Sequence, residues 1–200
     1  MIKLRYGNTN TFFIQGAGSG LLLDTDYAGT LPAFFRAIKN AHIDIKDITY
    51  VLATHYHPDH IGIVSELQKL GITLLLIDVQ KDQVHFADDL FARDKRLHYE
   101  PIDEKSAKVI SFAESRDFLK SLGISGEIIH TPSHSSDSIT LILDNGDCFP
   151  GDLEPLEYLA AYDENPALKS DWKKIISYHP KMIRYAHVNE KEFRTEEWKI

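Results

Sequence analysis

An apolar run at residues 48–53, ITYVLA, leads directly into a segment with three histidines and one aspartate in six residues. That segment reads His55-Tyr56-His57-Pro58-Asp59-His60. A continuous apolar run of this length predicts a buried β-strand, so the polar segment lies at its end. Side chains at positions i and i+2 project to the same side, so His55 and His57 can bind one ion. Asp59 and His60, at the start of the following helix, can reach a second. Imidazole and carboxylate are ligands of zinc and related metals, so this segment predicts a metal site here.

Four ligands from one loop do not complete two metal sites, so further ligands must come from elsewhere in the chain. Three candidates follow later predicted strands: His134, Asp152 and His187. An aspartate between two metals can bridge them, which holds the ions about 3.5–4 Å apart. An isolated histidine is more often a surface residue or a satisfied core residue, so we assign no role to the others. These are His42, His85, His98, His130 and His179.

The remaining chain alternates short apolar runs with segments of helical spacing. Strands are predicted at 1–6, 11–15, 21–26, 48–55, 72–78, 107–112, 127–134 and 182–188, with a hairpin over 138–152. Helices are predicted at 30–41, 61–71, 79–98, 115–123 and 166–179. Both halves contain strands that end in metal-type residues, which predicts two sheets facing each other in a single domain over residues 1–200.

The composition limits the partners. There are 30 acidic and 22 basic side chains, a formal charge of −8, so the surface repels phosphate backbones. We therefore expect a small-molecule substrate and no nucleic acid, while the oligomeric state is left open. No segment approaches the roughly 18 apolar residues of a membrane span, and the first residues lack an apolar signal region. We expect no membrane contact and a cytoplasmic protein. The single cysteine, Cys148, excludes an intrachain disulfide and is interpreted as a buried apolar residue.

Together these residues resemble the metallo-β-lactamase superfamily. The segment from His55 to His60 matches its H-x-H-x-D-H signature completely. Later matches are Thr131-Pro132-x-His134, Gly151-Asp152 and His187, and the LLLDTD run resembles the family's early strand ending in an aspartate, here Asp24. The resemblance extends from about residue 10 to 190. It implies an α+β fold, an αββα sandwich of two mixed β-sheets flanked by helices, with the metal site at one edge between the sheets.

The resemblance also implies roles for the ligands. His55, His57 and His134 would bind the first metal, Asp59, His60 and His187 the second, and Asp152 would bridge them. Asp24 would support the metal loop.

The chain departs from the family pattern at two places. The family commonly has T-P-G-H-T-x-G-S, whereas this chain has Thr131-Pro132-Ser133-His134-Ser135-Ser136-Asp137-Ser138, without either glycine. One of the paired glycines that usually follow His60 is replaced by Ile63. Because thirteen residues follow His187, we expect no helical domain like that of glyoxalase II enzymes, and the spacing of the motifs leads us to expect no inserted domain like that of RNA-cleaving members.

The expected activity is metal-dependent hydrolysis. Two divalent ions, zinc with iron or manganese as alternatives, would lower the pKa of a shared water to about 7, and the resulting hydroxide would attack the substrate. Asp59 would be catalytic by orienting this nucleophile. Tyr56, Ser133 and Ser136 are candidates for substrate binding. The substrate would be an ester, lactone, thioester, amide or phosphodiester.

Two alternatives remain open from the sequence. One is an iron-dependent oxygenase of the same fold that acts on a thiol-derived substrate, with a single metal on His55, His134 and Asp152. The second-metal residues Asp59, His60 and His187 would then be unused. The other alternative is a non-enzymatic metal-binding domain, which the full ligand set disfavours because structural sites normally close with four ligands.

Overall fold

The computed structural model describes residues 1–160 and 165–194. Two β-sheets pack face to face within these residues, and helices cover both outer faces. The first sheet contains β1 Ile2–Arg5, β2 Asn10–Gln15, β3 Gly20–Leu23, β4 Tyr50–Leu52, β5 Thr73–Ile77 and β6 Lys108–Ile110. The second contains β7 Gly126–His130, β8 Ile139–Leu143, β9 Asp147–Phe149, β10 Met182–Ile183 and β11 Lys191–Glu192. The helices are α1 Leu31–Asn40, α2 Pro58–Ile61, α3 Val64–Lys69, α4 Asp88–Arg93, α5 Phe112–Ser121 and α6 Pro166–Ser177.

Both sheets are mixed. In the first, strands lie in the order β1-β2-β3-β4-β5-β6, antiparallel from β1 to β3 and parallel from β3 to β6. In the second, the order is β11-β10-β9-β8-β7, and only the β9–β10 pair is parallel among the described residues. The α+β sandwich of two mixed sheets flanked by helices is therefore confirmed.

Alternation along the strands divides the apolar residues into three layers. On β3, Leu21 and Leu23 face the second sheet, while Leu22 faces the helices of the first sheet. On β8, Leu141 faces the first sheet, while Ile142 packs in the layer that contains α6. Because both faces of these strands are buried, they read as continuous apolar runs in the sequence rather than as alternating ones.

The helix predicted over 79–98 is wrong in extent. The segment forms a 3-10 helix at Asp78–Gln83, then α4, then a 3-10 turn at Lys95–Leu97. The Asp94 carboxylate accepts a hydrogen bond from the backbone N–H of Arg96, and His98 adopts a left-handed φ of 48°. Local side-chain hydrogen bonds and left-handed residues of this kind compete with a continuous helix.

The helix predicted over 61–71 is interrupted at Gly62. A Cβ at this position would lie 2.1 Å from the backbone N of Ala28, so only glycine permits this close approach of the two backbones. Helix α2 ends at Ile61 and α3 begins at Val64. The last predicted strand, 182–188, pairs only at Met182–Ile183, and the following residues form the loop that carries His187. In the described part of the chain, no helix combines the length and the apolar character needed to cross a membrane.

Candidate metal centre

The loop from His55 to His60 follows β4 and is held by the aspartate that follows the adjacent parallel strand β3. The buried Asp24 carboxylate accepts hydrogen bonds from the backbone N–H of Thr54 at 2.7 Å and from its hydroxyl at 3.0 Å. The same carboxylate lies 3.2 Å from Nδ1 of His60. Asp24 has a φ of 57°, a strained conformation that is retained mainly at functional positions. Asp24 therefore orients His60 so that its Nε2 is left for another partner.

Asp152 is brought to this loop by a glycine. Gly151 follows β9 with a φ of +60°, and a Cβ there would lie 2.5 Å from the Thr54 hydroxyl. Any side chain at this position would push the two loops apart. The sequence Gly151-Asp152 thus places the Asp152 carboxylate beside His55 and His60.

The His187 loop is fixed to the first sheet by Asn10 of β2. The Asn10 backbone N–H donates to the carbonyl of Ala186 at 2.7 Å, and its side-chain amide donates to the carbonyls of Tyr185 and Val188, each at 2.9 Å. His187 Nδ1 lies 3.3 Å from the carbonyl of Asn8, which leaves its Nε2 directed to the centre. Asn10 is a supporting residue that the sequence patterns did not indicate.

The seven predicted ligands converge at one edge between the sheets. Their donor atoms form three overlapping groups, and within each group all donor atoms lie within 4.8 Å of one another. The groups are His55, His57 and His134; His55, His60 and Asp152; and Asp59, His60 and His187. We call the first of these the first ligand group and the last the second ligand group.

The two carboxylate oxygens of Asp152 face different sets of histidines. Oδ2 lies 3.9 Å from His55 Nε2 and 4.0 Å from His134 Nε2. Oδ1 lies 3.3 Å from His60 Nε2 and 3.1 Å from His187 Nε2. Asp152 therefore stands between the two ligand groups.

These separations suit a tetrahedral metal. Two ligand atoms about 2.1 Å from one tetrahedral ion lie about 3.4 Å apart, so the separations of 3.1 to 4.0 Å around Asp152 are of the required size. His55 Nε2, His60 Nε2 and Asp152 Oδ1 are buried polar atoms without a hydrogen-bond partner. Such atoms are costly unless another group binds them. The donor set thus fits two divalent cations.

The charges of these groups are strongly coupled. Burial disfavours the protonated form of His60, but Asp24 and Asp152 outweigh it and raise the pKa of His60 to about 10. The carboxylates of Asp152 and Asp59, which lie 3.1 and 3.3 Å from its Nε2, raise the pKa of His187 to about 10. The pKa of Asp59 is lowered, first by its hydrogen bond to His187, so this carboxylate is ionised at neutral pH. Burial, together with the neighbouring His60, lowers the pKa of His55, which keeps this imidazole neutral.

The three predicted substrate-binding residues occupy different positions. Tyr56 is buried in the helix-covered core of the first sheet, so its position does not support substrate contact. Because Tyr56 lies between His55 and His57 in the chain, we expected its side chain to lie in the site. The ring instead packs on the opposite side of the loop. Ser133 lines a cavity of about 150 Å³ beside His134, and its hydroxyl is buried without a partner. Ser136 is exposed, and its carbonyl lies 2.9 Å from His130 Nε2.

The five histidines that were given no role lie outside these ligand groups. His130 stacks on Phe112 with ring centroids 5.3 Å apart. His85 lies 2.8 Å from a carboxylate oxygen of Asp88. His42, His98 and His179 have positive φ values.

A cavity of about 360 Å³ opens beside the centre. Three of the ligand candidates line it, His134, Asp152 and His187. The remaining lining residues are Gly151, Leu153, Glu154, Pro155, Tyr158, Tyr185 and Val188. Its size is within the range of small-molecule sites.

The chain is similar to known proteins in sequence and in fold. The chain is 26% identical over 182 residues to the β-lactamase-like protein 2 homolog of Drosophila melanogaster; the match covers 90% of this chain and 59% of that protein's length. A metallo-β-lactamase family protein from Thermus thermophilus superimposes with a TM-score of 0.72 at 20% identity, covering 94% of this chain and 72% of the other. The protein TTHA1623, solved in a di-iron-bound form, has a TM-score of 0.68 at 18% identity, with coverages of 96% and 93%.

The structural likenesses show a shared fold, while the family assignment comes from the sequence. The family model of the metallo-β-lactamase superfamily matches residues 4–187, which include all seven ligand candidates. Since this match spans most of the chain, the protein belongs to the metallo-β-lactamase superfamily.

Proposed function

We propose that this protein is a metal-dependent hydrolase with a dinuclear centre on His55, His57, Asp59, His60, His134, Asp152 and His187. The observation that carries the proposal is the position of Asp152, whose two oxygens face the first and the second ligand group separately. A bridging carboxylate of this kind is typical of two-metal hydrolytic sites. Superfamily membership supports metal-dependent chemistry of this class.

When bound, two divalent cations supply Lewis acidity toward a carbonyl or phosphoryl oxygen and toward an attacking water. Histidine and carboxylate ligands favour zinc, with iron or manganese as alternatives. The centre is open rather than closed, because the side chains of His134 and His187 retain 25% and 35% exposure. An open centre beside a cavity suits catalysis better than a purely structural site.

Asp59 is the proposed catalytic residue of the chain. Its carbonyl accepts a hydrogen bond from the Thr9 hydroxyl at 2.7 Å, which fixes the backbone at this position. One carboxylate oxygen lies 3.3 Å from His187 Nε2, and the side chain keeps 38% exposure. Because the lowered pKa keeps this carboxylate ionised, it can accept a hydrogen bond from the attacking water and orient it.

The cavity of about 360 Å³ is the proposed substrate site. Leu153, Pro155, Tyr185 and Val188 give it apolar walls, so it can hold an organic group next to the reacting bond. The substrate classes considered are esters, lactones, thioesters, amides and phosphodiesters, because each presents a polarisable carbonyl or phosphoryl oxygen.

The test combines metal analysis with a substrate panel. Purified protein should contain close to two transition-metal ions per chain and should hydrolyse at least one of these substrate classes without oxygen, with solvent oxygen appearing in the product. Turnover that stops under anaerobic conditions and returns with air would instead support the single-iron oxygenase. Metal at or below one ion per chain under metal-replete conditions would contradict the dinuclear centre.

A further inference from the structure

A buried carboxylate connects the two loops that carry the first ligand group. Asp137 is 4% exposed, and its Oδ2 accepts a hydrogen bond from the backbone N–H of Tyr56 at 2.7 Å. Tyr56 stands between His55 and His57 in the chain. The other oxygen, Oδ1, accepts from the Ser135 hydroxyl at 2.7 Å, beside His134.

A second buried side chain ties the same two segments together. The Gln80 amide nitrogen donates to the carbonyl of Ala53 at 3.0 Å and to the carbonyl of Asp137 at 3.2 Å. Its amide oxygen accepts from the backbone N–H of Ile77 at 3.2 Å. Gln80 is fully buried, so these bonds are shielded from water, and the backbone of Asp137 is fixed as well as its side chain.

The other flank of His134 is held independently. The backbone N–H of Ser133 donates to the buried carboxylate of Asp171, on α6, at 2.8 Å. His134 therefore stands between two residues that are each bound by a buried aspartate. Its Nε2 lies 3.1 Å from Nδ1 of His57, across the gap between the loops.

Asp137 stands where the resembled family pattern has a glycine, which has no side chain to make such bonds. Neither Ser133 nor Asp137 has a positive φ in this structure, so the loop does not depend on glycine. The bonds that span the loops here come from the carboxylate.

We propose that Asp137 is a positioning residue that sets the spacing of His55, His57 and His134 and so tunes the affinity of the first ligand group. The proposal rests on the metal centre proposed above. The second ligand group is held by other residues, Asp24, Thr9 and Asn10, so its affinity should not depend on Asp137. This difference between the groups separates positioning from a general loss of stability.

The experiment measures cobalt(II) binding in two backgrounds of the full chain. His187→Ala leaves the first ligand group intact, and His134→Ala leaves the second intact. Asp137→Ala and Asp137→Gly are then added to each background, and cobalt(II) affinity is measured by chelator competition together with the visible d–d spectrum. In the His187→Ala background both changes should weaken binding by about 10–100-fold, the usual effect of removing a residue that orients a ligand, and should alter the spectrum. In the His134→Ala background binding should stay within about twofold of its value with Asp137 present, since the hydrogen bonds of Asp137 join Tyr56, Gln80 and Ser135 and do not reach the second ligand group.

Two further variants complete the design. Asp137→Asn keeps an acceptor for the Tyr56 N–H and a polar group for Ser135, so it should restore most of the affinity that Asp137→Ala loses. It is also the variant to measure if Asp137→Ala and Asp137→Gly do not fold. Asp117→Asn, at an exposed position on α5, removes the same charge outside both loops and should change nothing.

Equal loss in both backgrounds would overturn the positioning role, since it would indicate general destabilisation. An Asp137→Ala variant that leaves the cobalt(II) affinity unchanged in the His187→Ala background would also overturn the positioning role, while the proposed metal centre would stand. A parent chain that binds no divalent metal would overturn both proposals.

Discussion

Replacing Asp152 by alanine tests the bridging geometry most directly. Each ligand group has three donors of its own, and one oxygen of Asp152 adds a fourth on each side. In the proposed centre, Asp152→Ala would therefore reduce both metal sites from four protein ligands to three. By contrast, His134→Ala affects only the first ligand group and His187→Ala only the second. The three variants should give three distinct patterns of metal loss.

The expected loss can be bounded. Residues that merely orient a ligand contribute about 10–100-fold to metal affinity, so loss of a direct ligand should cost at least about 100-fold at each site. That factor corresponds to about 2.7 kcal/mol per ion. After dialysis against a weak chelator, Asp152→Ala should therefore retain well under one ion per chain, and its hydrolytic activity should disappear.

The assay is metal analysis by mass spectrometry combined with competition against an absorbing chelator. His42→Asn is a matched control, because His42 is exposed, lies outside the ligand groups and has a left-handed φ that asparagine tolerates. It should keep two ions. If Asp152→Ala weakened only one of the two sites, Asp152 would be a terminal ligand and the bridging interpretation would be refuted.

Three further predictions concern the core and the cavity. Trp172 is fully buried in the α6 layer, and its Nε1 donates a hydrogen bond to the Glu154 carbonyl at 2.8 Å. Trp172→Ala should therefore lower the free energy of unfolding, measured in urea, by about 3–5 kcal/mol. A loss below about 1 kcal/mol would contradict this packing. Burial raises the pKa of the Cys148 thiol, so the thiol stays protonated at pH 8. A thiol reagent should label one thiol per chain, and only after the protein is unfolded. Rapid labelling of the folded protein would show that Cys148 is not buried. Glu154 lines the cavity, and there is no lysine or arginine among the described lining residues. Its negative charge should repel an anionic substrate, so Glu154→Gln should lower the KM of a carboxylate-bearing substrate relative to that of its neutral analogue. Equal changes in KM for the two substrates would exclude a charge effect.

The positions of the ligand candidates were predictable because they are local features of the sequence. The motif from His55 to His60 directly follows an apolar strand, and Asp152 follows a glycine after another. Strand ends of a sandwich meet at its edges, so residues at these places can converge without further information. The layering of the two sheets came from the family resemblance rather than from periodicity, since strands buried on both faces show no alternation.

The supporting network was not predictable in the same way. The bond between Asp137 and Tyr56 joins residues 81 positions apart, and the bond between Asn10 and Tyr185 joins residues 175 apart. No local pattern signals a hydrogen bond between distant segments. The one available signal was Asp137 itself, an acidic residue at a glycine position of the family pattern. Tyr56 shows the same limit, because a residue beside a ligand in the chain can point away from the site, and its ring is buried in the core of the first sheet.

The second ligand group bears on whether one metal or two suits this centre. In a single-iron scheme on His55, His134 and Asp152, the residues Asp59, His60 and His187 would form only an ion-pair network. A stable buried pair requires well-directed hydrogen bonds, because desolvation otherwise outweighs the Coulomb attraction.

His60 does not meet that requirement on the side facing the centre. Its ring is fully buried, and its Nε2 has no hydrogen-bond partner although carboxylate oxygens of Asp152 and Asp59 lie 3.3 and 4.0 Å away. The opposite nitrogen, Nδ1, is fixed by Asp24, as the second nitrogen of a metal-bound histidine usually is. A cation between His60 Nε2 and the Asp152 carboxylate would give both of these buried atoms a partner. This arrangement supports the two-metal centre proposed above over a single-iron centre.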